Sequence, residues 1–80
     1  MSEQNLYNSP DVAIAIKLRA KAKNIAIKEM LTSIGLGINT LSHMNHGKSI
    51  AFDSLARIAD YLDCSVDYLL GRTDNPEVNK

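Results

Sequence analysis

Apolar residues recur along most of the chain at the spacing of helices, and no segment predicts a strand. The first helix is predicted to extend from Pro10 to about Lys23, with Ser9 as its cap. Two apolar stripes follow this helix, which predicts burial on two sides, by the rest of the core and by a second copy of the chain. The stripes are Val12, Ala13, Ile16 and Ala20, and Ile14, Ala15, Leu18 and Ala22.

Two shorter helical segments follow, joined by the sequence Gly-Leu-Gly. Residues 27–34 predict a second helix that ends at Gly35, because glycine takes the left-handed conformation that side chains disfavour. Residues 38–46 predict a third helix, with Leu41 and Met44 directed inward. Two short helices across such a turn form a helix-turn-helix.

The last two helices complete the set of five. Residues 52–62 predict a fourth helix with a continuous apolar face. A fifth helix begins after Ser65, which can cap it, and ends at Gly71. The apolar face of the fourth helix consists of Phe52, Leu55, Ile58, Ala59 and Leu62.

The length and the single cysteine limit what the chain can be. Eighty residues allow one small core. We expect one compact all-α domain over residues 9–71, between a flexible arm at 1–8 and a polar tail at 72–80. Cys64 excludes an internal disulfide. With no apolar leader and no segment of membrane-spanning length, the sequence predicts a cytoplasmic protein that does not bind membranes.

The charge is distributed unevenly although the net charge is zero. Between residues 12 and 48 Glu29 is the only acid, whereas acids predominate after residue 48. This asymmetry fits a protein that presents one side to a polyanion, and solvated helix surfaces are the simpler explanation. The basic residues of the first part are Lys17, Arg19, Lys21, Lys23, Lys28 and Lys48.

The segment SIGLGINTLSHMNHGK, residues 33–48, admits three kinds of site. A structural zinc ion needs four ligands, and His43 and His46 would have only Cys64 and carboxylates as partners, so no metal is expected. The glycines lack the preceding strand and the following Lys-Ser or Lys-Thr of a nucleotide-binding loop. No nucleophile or histidine accompanies the acidic residues, so neither an enzyme nor a cofactor is expected. The third possibility is a helix-turn-helix that binds DNA.

Two longer segments carry a resemblance to a known family, IKEMLTSIGLGINTLSHMNHGK and LARIADYLDCSVDYLLGRTDNP. From Ile16 to about Pro76 the chain resembles the XRE family of Cro-like and lambda-repressor-like helix-turn-helix regulators of bacteria and phages. The resemblance implies a compact five-helix, lambda-repressor-like DNA-binding domain. Gly37 stands where relatives commonly have a serine or threonine cap for the third helix, and it is a weaker cap.

In a helix-turn-helix, the N-terminal residues of the motif's second helix meet base edges in the major groove. In this chain that helix is the third one, at residues 38–46. Asn39 is the best candidate, because its amide can bond to N6 and N7 of adenine. Ile38 is expected to touch a thymine methyl, and Thr40 and His43 are expected to contact bases as well. Phosphate contacts are expected from Lys23, Lys28, Ser42, His46 and Lys48.

The chain is therefore predicted to be a sequence-specific, DNA-binding transcriptional regulator that acts as a repressor. One module makes few contacts, so a homodimer on a two-fold site in double-stranded DNA is expected. Candidate dimer contacts are the second stripe of the first helix, the region around Tyr61 and Tyr68, and the C-terminal helix. No small-molecule effector is expected. The alternative is a protein-interaction module, antitoxin-like or antirepressor-binding, which zero net charge and the apolar Ile38 favour.

Overall fold

The computed structural model describes residues 8–72 and residue 75, and its regular structure there is entirely helical. The all-α class and the order of five helices are confirmed. The predicted arm lies outside the described residues except for its last residue, as does the predicted tail except for residues 72 and 75. None of the described helices is long and apolar enough to cross a membrane. The helices are α1 (Ser9–Ala22), α2 (Ile27–Ser33), α3 (Thr40–Asn45), α4 (Phe52–Tyr61) and α5 (Val66–Leu69).

The N-terminal cap of α1 differs from the prediction by one residue. Asn8, and not Ser9, occupies the cap position, and its side chain accepts a long hydrogen bond of 3.4 Å from the amide of Asp11. Ser9 and Pro10 are then the first two helical residues. Asparagine and serine are equally good caps, so propensity does not distinguish the two positions.

One apolar core joins the five helices, and within the described residues no polar or charged side chain is buried in it. The first predicted stripe of α1 is buried, as expected. In the second stripe Ile14 and Leu18 are 51% and 63% exposed, so the described part of the chain leaves them largely uncovered. The largest fully buried side chains are Ile16, Met30, Leu31, Met44, Ile58, Leu62, Leu69 and Cys64.

The predicted apolar face of α4 is wrong at its first residue. Leu55, Ile58 and Ala59 are buried, whereas Phe52 is 80% exposed. Helical side chains point back toward the N-terminus of their helix, so the first residue of α4 extends beyond the end of the helix. The core does not reach Phe52, although the periodicity places it near Leu55.

Two arginines connect helices that are distant in sequence. The guanidinium of Arg19 in α1 donates to the carbonyl oxygens of Leu62 at 3.1 Å and Asp63 at 2.8 Å, where α4 ends. Arg57 in α4 donates in the same way to the carbonyl of Ile34, at the end of α2, at 3.3 Å. The last carbonyl groups of a helix have no partner within it, so each arginine satisfies groups that would otherwise need water.

Replacing Arg19 with alanine is expected to lower the free energy of unfolding by about 1–3 kcal/mol, because two hydrogen bonds from a charged donor are lost. The contact of its guanidinium with the Tyr68 ring, 5.8 Å from the centroid, is lost as well. Urea unfolding followed by circular dichroism measures the change. Lys17→Ala, at an exposed position of the same helix, is the control and should stay within about 0.5 kcal/mol of the wild type. Equal effects of the two substitutions would contradict the role assigned to Arg19.

Candidate nucleic-acid interface

The connection between α2 and α3 is fixed by the backbone conformation at Gly35. Its φ of +81° is left-handed, as the sequence predicted. The amide of Leu36 donates to the carbonyl of Leu31 at 2.8 Å, and the amide of Gly35 donates to that of Thr32 at 3.2 Å. This pair of bonds is the Schellman motif, which ends a helix and turns the chain away from its axis.

The helix α3 begins two residues later than predicted, at Thr40. Ile38 and Asn39 lie in a turn in which the carbonyl of Gly37 accepts from the Thr40 amide at 3.1 Å and from its hydroxyl at 2.6 Å. Asn39 occupies the cap position, but its side chain makes no capping bond. Gly37 therefore does not cap α3, because it has no side chain to accept a bond, and a backbone turn precedes the helix instead.

Two inward side chains attach α3 to the core. Leu41 is 4% exposed and Met44 is 1% exposed, as the sequence predicted. Within the described residues α3 packs mainly against α1. Since only one side of α3 is buried, the side chains on its other side are presented to solvent.

The four predicted base-contact residues lie together at the N-terminal end of α3. Ile38 is 57% exposed, and Asn39 and His43 are also exposed. Asn39 and His43 are four residues apart, so they lie on the same side of the helix. Thr40 is partly buried and its hydroxyl already donates to Gly37, so toward a base it can only accept, for example from an amino group.

The predicted phosphate-contact residues fall into two groups. Lys28 is exposed on α2, and Ser42, His46 and Lys48 are exposed on α3 and in the loop after it. Lys23 is the C-terminal cap of α1, and its Nζ lies 3.7 Å from a carboxylate oxygen of Asp63, near the end of α4. A phosphate would have to compete with that carboxylate for Lys23.

The ring of His46 has a defined orientation. Its Nδ1 lies 2.8 Å from the carbonyl oxygen of Ser42, one turn earlier. Because a carbonyl only accepts hydrogen bonds, Nδ1 carries the proton, and Nε2 of the neutral ring is an acceptor. His46 can therefore donate to a phosphate through Nε2 only as the imidazolium.

Three of the five helices begin without a side-chain cap, a feature that the sequence prediction missed. Neither Ala26 before α2, nor Asn39 before α3, nor Ala51 before α4 makes a capping bond. By contrast, Asn8 caps α1 and Ser65 caps α5. The first amides of an uncapped helix have no side-chain acceptor, so those of α2 and α4 are donors that suit phosphate oxygens. In α3 the first amide, that of Thr40, already donates to Gly37. The alanines at positions 26 and 51 are the sequence signal that could have indicated this.

The basic part of the sequence is less available to a polyanion than its composition suggests. Arg19 donates to backbone carbonyls at the end of α4, and Lys23 pairs with Asp63. Lys28 and Lys48 are the basic residues that remain exposed on α2 and after α3. The interface therefore combines a few charged groups with polar and apolar side chains.

The described residues contain no group of three or more histidine, cysteine or acidic side chains that could hold a metal ion. Cys64 is 2% exposed, and burial raises the pKa of its thiol. A raised pKa disfavours the thiolate, which is the form that binds metals and reacts. Cys64 thus serves as a small apolar side chain in the core.

A comparison with protein families matches residues 15–75 to the Cro/C1-type HTH DNA-binding domain. The match begins within α1 and includes the other four helices. Comparisons with curated proteins and with solved structures gave no match. The match therefore covers the turn, both helices of the motif and the core that supports them.

Gly35→Ala is expected to lower the free energy of unfolding by about 1–2 kcal/mol, because a side chain is strained in the left-handed conformation. Gly37→Ala is the matched control. Neither glycine has another group within 4 Å of an added Cβ, and only Gly35 has a positive φ. Gly37→Ala should therefore be neutral or stabilising by less than about 1 kcal/mol. Urea unfolding compares the two variants, and an equal loss in both would contradict this account of the turn.

Proposed function

Because the chain belongs to the Cro/C1-type helix-turn-helix DNA-binding family, we propose that it is a sequence-specific transcriptional repressor that acts on DNA in the cytoplasm. The observation that carries the proposal is the exposed N-terminal end of α3, which has no side-chain cap. The side-chain amide of Asn39 makes no capping bond, and the neighbouring Ile38 is 57% exposed. A polar side-chain amide and an exposed apolar side chain lie next to each other on a helix whose other side packs into the core. This arrangement can contact the edges of base pairs in the major groove.

Each residue at this end has a role in the proposed complex. Asn39 bonds bidentately to an adenine, and Ile38 packs against a thymine methyl. His43, one turn further, donates to a guanine or to a phosphate. Thr40 accepts from an amino group, because its own proton is directed to Gly37. Repression then requires only that the bound protein occupies a site that the transcription machinery needs.

Contacts to phosphates position α3 over the bases. Lys28 and Lys48 supply the fixed positive charges, and Ser42 adds a hydroxyl. His46 contributes when its ring is protonated. The amides of the uncapped helix ends add neutral donors. These are few contacts for one protomer, so we propose a homodimer on a two-fold site, in which two copies of α3 read two half-sites.

The alternative function is a protein-interaction module on the same scaffold. Zero net charge and the exposed Ile38 favour it, since both suit an apolar protein contact. Salt distinguishes the two functions. Binding to DNA releases counterions and weakens steeply with salt, whereas an apolar protein contact does not.

Selection from a pool of random duplexes, followed by fluorescence anisotropy at several salt concentrations, tests the proposal. We expect a two-fold motif bound at least about a thousandfold more tightly than scrambled DNA. Because two lysines per protomer, Lys28 and Lys48, are proposed to contact phosphates, a dimer should show a slope of log affinity against log salt of about −4. Binding without a preferred sequence, or no binding, would favour the protein-interaction module instead.

Asn39→Ala is expected to cost about 1–3 kcal/mol of binding on the selected site and to relax specificity at one base pair, with little effect on scrambled DNA. Lys48→Ala, the comparison variant, should weaken binding to both DNAs alike and make the salt slope shallower by about 1 for each lysine removed. Anisotropy titrations of both variants on both DNAs measure these effects. Equal losses of Asn39→Ala on the two DNAs would exclude Asn39 from base recognition.

A further inference from the structure

The outer side of α1 carries an apolar strip, Ile14 and Leu18, that DNA recognition does not use. The two side chains are one helical turn apart, and they are 51% and 63% exposed. They lie opposite the buried side of α1, with which the helix packs against α3. A single exposed apolar residue is ordinary, but two adjacent ones form a continuous patch on one element.

Charged residues flank this strip at both ends. Asp11 precedes Ile14 by three residues, and Lys21 follows Leu18 by three, so the spacing along this side of α1 is three, four, three. That spacing is the one at which residues of a helix follow the seam with a second, packed helix. The spacing is the same from either end of α1, but the acid stands at one end of the series and the base at the other. The side is thus complementary to itself when two copies run in opposite directions.

We propose that a second copy of this chain docks on the strip, with the two α1 helices antiparallel. In this register Ile14 of each copy packs against Leu18 of the other, and Asp11 of each copy faces Lys21 of the other. A parallel pair would instead place like charges opposite each other at both ends, which is unfavourable. The charges therefore select the orientation, and the apolar pair supplies the attraction.

The charged residues needed for this contact are accessible. Asp11 and Lys21 are both exposed. The ion pairs within the described part of the chain use other residues, namely Lys23 with Asp63, Arg57 with Asp53, and Arg72 with Asp67. Ala22 beside the strip is small, which allows close approach of the two helices.

The contact is short and therefore weak. It extends over about three turns of each helix, from Asp11 to Lys21. One pair of helices of this length buries less than the roughly 1,200 Å² at the lower limit of a standard interface, so the dimer is expected to form only at high protein concentration. The contact lies on the side of α1 away from α3, so it leaves α3 free. The proposed contact rests on the proposed function and names the surface through which two copies would meet. Dimerisation is measured without DNA, so a negative result would leave the DNA-binding test of Asn39 unaffected.

Sedimentation equilibrium of the full chain, without DNA and at low salt, at concentrations up to about 1 mM, tests the proposal, because a small interface is populated only at high concentration. The wild type is expected to form dimers, and Leu18→Glu is expected to stay monomeric. Phe52→Glu is the control, because Phe52 is an exposed apolar side chain on another helix, and it should dimerise like the wild type. A monomeric wild type, or a dimer that survives Leu18→Glu, would overturn the proposal.

A charge exchange tests the orientation. Asp11→Lys and Lys21→Asp should each weaken dimerisation about five- to tenfold, because each creates two like-charge contacts. The double variant should return to within about twofold of the wild type, since both contacts are again between opposite charges. Circular dichroism checks that each variant is folded. Reversed charges oppose the dipole of α1, so recovery in the double variant cannot arise from a more stable helix. No recovery would overturn the antiparallel arrangement.

Discussion

The burial of Leu41 and Met44 is the interaction on which the exposed side of α3 depends. A helix of six residues is not stable alone in water, so α3 exists because these two side chains pack into the core, chiefly against α1. The left-handed conformation of Gly35 ends α2 and turns the chain toward α3. Together they leave the other side of α3 uncovered. The same constraint that forms the helix therefore also determines which of its side chains remain exposed.

The two sides of α1 differ in their surroundings. Its buried side supports α3, and Arg19 connects it to the end of α4 through two backbone carbonyls. On its outer side, Ile14 and Leu18 are largely exposed and lie outside the core of the described residues. In the proposed complex few basic side chains contact phosphates, so a second copy would add to the affinity for DNA. The outer side of α1 is the surface proposed for that copy, and it does not overlap α3.

Local pattern was sufficient for the number and order of the helices, because periodicity and caps are properties of short segments. It also predicted correctly that Gly35 is left-handed and that Leu41 and Met44 point inward. The candidate residues of the interface followed from the resemblance to a family, and the match over residues 15–75 confirms that family. Which base each of them contacts stays a prediction.

The tertiary structure decided what each side chain meets. Periodicity shows which side of a helix is apolar, but not how far the core extends, so Phe52 was expected to be buried and is exposed. Charge counts show how many basic groups exist, but not that Arg19 and Lys23 find partners at the end of α4, some forty residues away. The start of α3 at Thr40 likewise depends on how the preceding turn closes. The sequence by itself thus determined the elements and their inward sides, whereas contacts between distant segments determined which groups remain free to bind.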